Sequence, residues 1–225
     1  WFRDARVYGF FDQLIDDGFF DDFDRVIFYG AGPCGYAAAS FSVAAPGATV
    51  VAVQPQATLD PRLTEWDDRF VEMRRTSFTD RYGYAPDMLD AAQDAFVFYD
   101  PYEQLDAMHA ALFHRSNVTR FRVPNLGGTV QTRLIEMGLL KQILFAAEKR
   151  ELTTLEFARL FRARRENPAY LRAVMGRLDM LERPFLLLLL CRNVTGRMRA
   201  PRFRHRLHKL EKRAAEGEFP LPGAL

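Results

Sequence analysis

Cysteine is scarce in this chain, which holds only Cys34 and Cys191 among 225 residues. Two cysteines cannot form a disulfide scaffold or a four-cysteine zinc site. No grouping of His, Cys, Asp and Glu has a spacing typical of metal ligands, so we predict no metal site. Because so few cysteines suit a compartment that keeps thiols reduced, we expect a cytoplasmic protein.

Long apolar runs are absent as well. The longest, residues 185–191, has seven residues, whereas a membrane-spanning helix needs about 20. We therefore predict no transmembrane segment. The chain begins at Trp1 rather than at methionine, and we expect a further segment to precede it. With 48% apolar residues, the chain can bury one main domain and a smaller appendage.

Charge is distributed unevenly along the chain. Residues 1–147 carry 13 Lys and Arg against 20 Asp and Glu, a net charge of −7. Residues 148–225 carry 18 against 9, a net charge of +9. This asymmetry predicts an acidic part over residues 1–147 and a basic part over residues 148–225.

The first part alternates β and α patterns. Short apolar runs suited to buried strands lie at residues 26–29, 49–53, 95–99 and 118–123, with helical patterns between them. This alternation is typical of a mostly parallel sheet with helices on both faces. We predict a three-layer α/β domain over residues 1–147.

Residues 148–225 lack strand patterns and predict a basic helical subdomain. Pro168, Pro184 and Pro201 each precede a helical pattern, and proline suits the first turn of a helix. The last predicted helix has a basic face made by Arg202, Arg206, Lys209 and Arg213. Such a face suits phosphate groups, an anionic membrane surface or the acidic part of a second copy. We expect a protein partner or self-association, and no nucleic acid, because no recognition motif accompanies the charge.

A glycine-rich turn after the first predicted strand is the main functional signal. Residues 30–35, GAGPCG, satisfy G-x-G-x-x-G, which binds dinucleotides when an acidic residue follows about 20 positions later. Here Gln54 and Pro55 end the next strand, and no acid stands there. Because a glutamine amide can still hydrogen-bond a ribose, an oxidoreductase that binds a flavin or nicotinamide nucleotide at this turn remains the alternative. The same strand, turn and helix also form the nucleophile elbow of hydrolases, with an acid after a later strand and a histidine after the last. Asp100 follows the third predicted strand.

The sequence resembles a known group of proteins over residues 26–69. YGAGPCGYAAASFS, PQATLDP and WDDRF are similar to α/β-hydrolase-like proteins found beside bacterial surface-polysaccharide genes, which read YGSSMGGYAA and PQ-x-S-I-D-P. The resemblance continues through FYDP at 98–101 and NLGG at 125–128. It implies an α/β-hydrolase-like fold in which Gly32 stands in the nucleophile position and Gly128, or a neighbour, stands for the histidine. Asp100 alone keeps its expected type.

A second resemblance covers nearly the whole chain. YGFFDQLIDDGFF, APDM, DAMHAALF, RARR and LCRNV are similar to alphaproteobacterial proteins often labelled phosphoadenosine phosphosulfate reductase. Reductases of that name carry an S-G-G-K-D-S-type phosphate loop and a cysteine in an E-C-G-x-H setting. Neither pattern is present here, since Cys191 lies in LCRN.

Together these patterns predict a degenerate nucleophile elbow, and hence a pseudoenzyme that binds a ligand or protein and needs no cofactor. Serine hydrolysis is not expected, because both the hydroxyl and its proton acceptor are missing. A Cys34-dependent acyl hydrolase or transferase remains an alternative, with Cys34 and Asp100 as the candidate catalytic residues. A small buried role for Cys34 and helix capping by Asp100 are the structural alternatives. An anionic small ligand is conceivable because the turn presents backbone N–H groups. The predicted ligand-binding residues are Gly30, Ala31, Gly32, Pro33, Cys34, Gly35 and Asp100.

Overall fold

The fold is taken from a computed structural model that describes residues 1–219. Two compact units make up the chain. The first is Trp1–Ala163, and the second begins at Arg164.

The first unit contains a four-stranded sheet in which every pair of neighbours is parallel. Its strands are β1 (Ile27–Ala31), β2 (Thr49–Val53), β3 (Asp94–Tyr99) and β4 (Val118–Arg122). They lie in the order β1-β2-β3-β4, so the carboxyl ends of all four strands share one edge of the sheet. The α/β class predicted from the sequence is confirmed.

Eight α-helices surround this sheet within the described residues of the first unit. They are α1 (Ala5–Asp16), α2 (Pro33–Phe41), α3 (Pro61–Thr64), α4 (Ala85–Met88), α5 (Gln104–Leu112), α6 (Val130–Glu136), α7 (Leu139–Glu148) and α8 (Thr154–Leu160). The sequence pattern over residues 129–147 predicts one helix where the structure has α6 and α7. Gly138 separates them in a left-handed conformation with φ +67°, which glycine adopts at low cost.

Helices lie against both faces of the sheet. On one face, Val50 and Val97 share a core cluster with Tyr36 of α2. On the other face, the Phe98 ring packs edge-on against the Phe157 ring of α8, with centroids 5.3 Å apart. Because α8 covers the sheet in this way, the first unit extends past the domain boundary predicted at residue 147.

The described part of the second unit, residues 164–219, contains three α-helices. They are α9 (Pro168–Met180), α10 (Pro184–Arg197) and α11 (Pro201–Ala215), and each begins at a proline, as the sequence predicts. Cys191 of α10 is fully buried in their shared core. Burial raises the pKa of its thiol to about 11, so this cysteine is an inert packing residue near neutral pH.

The predicted basic face on α11 is partly neutralised within the second unit. Arg206 forms an ion pair with Asp179, and Arg213 pairs with Glu218 at 2.6 Å. Arg202 and Lys209 are exposed. Among residues 1–219, the structure holds no helix with both the length and the apolar character needed to cross a bilayer.

Candidate functional site

A pocket of about 360 Å³ lies at the carboxyl edge of the sheet, where open α/β sheets bind their ligands. The β1–α2 turn, the ends of β2 and α5, and the chain after β4 all contribute to its walls. The described lining residues are Ala31, Gly32, Pro33, Gln54, Gln56, Arg69, Phe70, Glu103, Asp106, Gly128, Thr129, Gln131 and Thr132.

The glycine turn makes a sharp entry into α2. Gly30 lies so close to the first turn of α2 that a Cβ there would stand 2.0 Å from the Cys34 carbonyl oxygen. Gly32 caps the helix with φ +55° and ψ −125°, a conformation that side-chain-bearing residues adopt only under strain. A Cβ at Gly32 would meet no described atom within 4 Å. The turn therefore leaves room for a side chain where the sequence supplies none.

The chain after β4 reaches the same pocket. Gly128 and Thr129 line it together with Gly32. Asp100, just after β3, lies outside the described lining and is buried. Its two carboxylate oxygens accept hydrogen bonds from the backbone N–H groups of Tyr102 (2.9 Å) and Gly127 (2.7 Å). Asp100 thus holds the loop that carries Gly128.

Arg69 connects two buried carboxylates beside the pocket. Its Nε and Nη2 donate to Asp67 at 3.0 and 2.8 Å, and its Nη1 donates to Asp106 at 2.6 Å. Burial by itself raises the pKa of Asp67, but hydrogen bonds from Arg69 and His109 outweigh it and hold that pKa at about 2. Burial lowers and the two carboxylates raise the pKa of Arg69, with a net increase. Asp67 and Arg69 are therefore both charged near neutral pH.

His109 of α5 is completely buried and uses both ring nitrogens. Its Nδ1 accepts the Ala57 backbone N–H at 3.2 Å, so its proton is on Nε2, which donates to Asp67 Oδ2 at 2.9 Å. Burial lowers the pKa of His109 despite the attraction of Asp67. This imidazole is neutral and fully engaged, and neither nitrogen is available as a proton acceptor.

Gln54 joins this network to the chain after β4. Its Nε2 donates to Asp106 at 2.5 Å, and its Oε1 accepts the Val130 backbone N–H at 2.9 Å. Gln54 takes a left-handed conformation with φ +49°, which is uncommon for a non-glycine residue and concentrates at functional sites. One amide N–H and the amide oxygen of Gln54 are thus already bonded within the protein, which leaves fewer of its groups for a ribose.

Gln56 differs from these neighbours because part of its amide has no partner. It lines the pocket and is only 3% exposed. Among the residues that the structure describes, no hydrogen-bond donor reaches its Oε1. Buried polar atoms are nearly always hydrogen-bonded, so this oxygen is an exception that needs an explanation.

The pocket contains Ala31, Gly32 and Pro33 of the predicted site. Gly30, Cys34, Gly35 and Asp100 do not belong to the described lining, and the Cys34 side chain is exposed. Sequence reasoning missed Gln56, Arg69 and the Asp67–His109 pair. Residues 55–85 lack periodicity, so the sequence does not indicate which of their charged and polar side chains face a site. The only signal was the position of this segment, which follows β2. Within the described residues, no group of three or more His, Cys, Asp and Glu side chains could hold a metal ion.

Stability is expected to fall in mild acid because of His109. Its folded-state pKa lies below the ordinary value of 6.5, so the unfolded chain takes up a proton first as the pH falls. The stabilisation is complete above about pH 6.5 and is lost progressively below it. Melting temperatures measured from about pH 7.5 to about pH 5 should decrease, and His109→Gln should flatten this decrease.

The matched control is His114→Gln, because His114 is exposed. This variant should keep the pH dependence of the wild-type chain. Equal slopes for His109→Gln and the wild type would contradict a neutral, buried His109.

No protein-family model matches the chain, and comparisons with curated proteins and with solved structures found no match.

Proposed function

We propose that this chain is a binding protein on an α/β-hydrolase-like fold, with its ligand site at the carboxyl edge of the sheet and no hydrolytic activity. The order of the parts supports the hydrolase-like assignment. A strand, a sharp turn and a helix are followed by Asp100 after β3 and by Gly128 after β4, and Gly128 shares a pocket with Gly32. In this proposal Gly32 takes the nucleophile position, and Gly128 or a neighbour takes the histidine position.

Among the described lining residues of the pocket, no serine, cysteine or histidine replaces the missing groups. Serine catalysis needs a hydroxyl and an imidazole within hydrogen-bond reach. Gly32 supplies no side chain, and both nitrogens of His109 are bound to other groups. The Cys34 alternative has weaker support, since its side chain lies outside the described lining of the pocket. The nucleotide alternative is weakened because Gln54, which would contact a ribose, is bound to Asp106 and Val130.

The observation that carries the binding proposal is the unpartnered Oε1 of Gln56. A folded protein loses stability by burying such an atom, typically about 1–3 kcal/mol. A ligand that donates a hydrogen bond would recover this loss. Functional sites often cost a protein stability, and an unsatisfied amide beside a pocket supports such a role for Gln56.

Gln56→Met is therefore expected to stabilise the unliganded chain. Methionine has a similar length and leaves no buried polar atom unsatisfied. We expect the free energy of unfolding to increase by about 1 kcal/mol, which raises the melting temperature by about 2–4 °C in a protein of this size. Thermal and urea denaturation of the unliganded protein measure the change.

Gln142→Met is the matched control, because Gln142 is an exposed residue on α7 and its replacement should leave stability nearly unchanged. A Gln56→Met variant less stable than the wild type would show that Gln56 serves the fold. A covalent adduct between the wild-type protein and a fluorophosphonate would contradict the non-catalytic part of the proposal.

The second unit supports a separate proposal about partners. The exposed Arg202 and Lys209 of α11 suit an acidic protein surface, including that of a second copy, since residues 1–147 carry a net charge of −7. Arg206 and Arg213 contribute less, because each is already paired. We propose that the protein acts in the bacterial cytoplasm, because a chain with only two cysteines suits a compartment that keeps thiols reduced.

A further inference from the structure

We propose that the pocket at the carboxyl edge of the sheet binds an uncharged, polyhydroxylated ligand, such as a sugar, rather than an anion. This inference rests on the proposed function and names the class of ligand for the same site. Three properties of the lining support it: the balance of charge, the hydrogen-bonding groups and one aromatic ring.

The charge balance disfavours an anion. The charged residues of the described lining are Arg69, Glu103 and Asp106, one cation against two carboxylates. The one cation, Arg69, is already paired, since it donates to Asp67 and Asp106. An incoming carboxylate or phosphate would meet no free positive charge among the described lining residues, and it would be repelled by Glu103 and Asp106.

The hydrogen-bonding groups suit hydroxyls. Gln56 lines the pocket, and its buried amide oxygen has no donor among the described residues. Gln131, Thr129 and Thr132 line the wall formed by the chain after β4. A hydroxyl both donates and accepts, so it can satisfy an amide oxygen, an amide N–H group, a carboxylate or a threonine hydroxyl. Several hydroxyls on one small scaffold would match several such groups at once.

Phe70 adds an apolar wall to this polar lining. Its ring is held by the Trp1 ring, with centroids 4.6 Å apart in an edge-on arrangement. The face of a sugar ring is made of C–H groups and packs against an aromatic ring, while its hydroxyls point outward. An inorganic anion has no apolar face, so contact with the Phe70 ring would not stabilise its binding. The volume of about 360 Å³ lies within the range of small-molecule sites.

The test compares neutral sugars with charged sugars of the same ring and with inorganic phosphate. Binding of glucose, galactose, mannose and N-acetylglucosamine is measured by protein-observed NMR titration, with glucuronate, galacturonate, glucosamine and inorganic phosphate as charged probes. We expect at least one neutral sugar to bind at least about tenfold more tightly than its charged counterparts, a difference of about 1.4 kcal/mol. Gln56→Met should weaken that binding at least about tenfold, while Gln142→Met should leave it unchanged.

The other outcomes separate the two proposals. Tighter binding of glucuronate, phosphate or glucosamine that depends on Gln56 would overturn the ligand class and leave the proposed function intact. Absence of Gln56-dependent binding by every probe would overturn the ligand class as well. If Gln56→Met also failed to stabilise the unliganded protein, the proposed function would fail with it.

Discussion

Gly30→Ala is expected to prevent the first unit from folding, or to reduce its free energy of unfolding by more than about 4 kcal/mol. The new Cβ would stand 2.0 Å from the Cys34 carbonyl oxygen, well inside van der Waals contact. Neither atom can move away easily. Gly30 is paired with Ala52 in the sheet, and Cys34 lies in the first turn of α2. Circular dichroism and urea denaturation of the purified variant measure the loss.

Gly128→Ala provides the control for this prediction. A Cβ at Gly128 would meet no described atom within 4 Å, and its backbone lies outside the left-handed region. Its stability should stay within about 0.5 kcal/mol of wild type. A stable Gly30→Ala variant would show that the turn does not approach the helix as closely as the structure indicates. If Gly30→Ala fails to fold, the first glycine of G-x-G-x-x-G is required by the fold. The motif by itself would then not indicate nucleotide binding.

The sheet was predictable because its strands carry a strong local signal. Strands buried on both faces are continuous apolar runs, and the run at residues 49–53 coincides with β2. The helix starts at Pro168, Pro184 and Pro201 were predictable for a similar reason, since proline lacks the N–H group that the first helical turn leaves unbonded. Both signals act within a few residues of the chain.

The candidate site was less predictable, because its groups come from distant parts of the chain. His109 contacts Asp67 and Ala57, more than 40 residues earlier in sequence. A histidine on a helix before a strand reads as a packing or surface residue, and only tertiary contacts show that it is fully buried. Gln56 and Arg69 belong to a segment without periodicity, and neither residue type by itself indicates a site. The glycine turn predicted where the pocket lies. The polar residues that line it could not be predicted from the sequence.

Arg69→Met is expected to reduce the free energy of unfolding by about 3 kcal/mol. The Asp67 and Asp106 side chains are 1% and 4% exposed, and both would lose their cation. Breaking a buried ion pair costs about 3–5 kcal/mol, and we take the lower end because the Arg69 side chain is 34% exposed. Urea denaturation near neutral pH measures the change.

Arg62→Met is the matched control. Asp60 and Arg62 repeat the local arrangement of Asp67 and Arg69, with the arginine backbone N–H and side chain both donating to an aspartate two residues earlier. The Arg62 side chain is 73% exposed, so water can replace it at Asp60, and we expect a much smaller loss. Equal losses in the two variants would show that the local turn, rather than the buried network, accounts for the effect.

The pH dependence distinguishes loss of charge from loss of packing. In the wild-type chain the pKa of Asp67 is about 2, below its ordinary value, so this stabilisation is present above about pH 4 and is lost as the pH falls towards 2. Without Arg69, the effect of burial exceeds that of the remaining hydrogen bonds, and the pKa of Asp67 rises. Protonation of Asp67 then removes an unpaired buried charge in the variant, whereas in the wild type it breaks an ion pair. The difference between the two unfolding free energies should therefore narrow from about pH 5 to about pH 3. A constant difference would mean that Arg69 acts through packing of its aliphatic chain, because that contribution does not titrate.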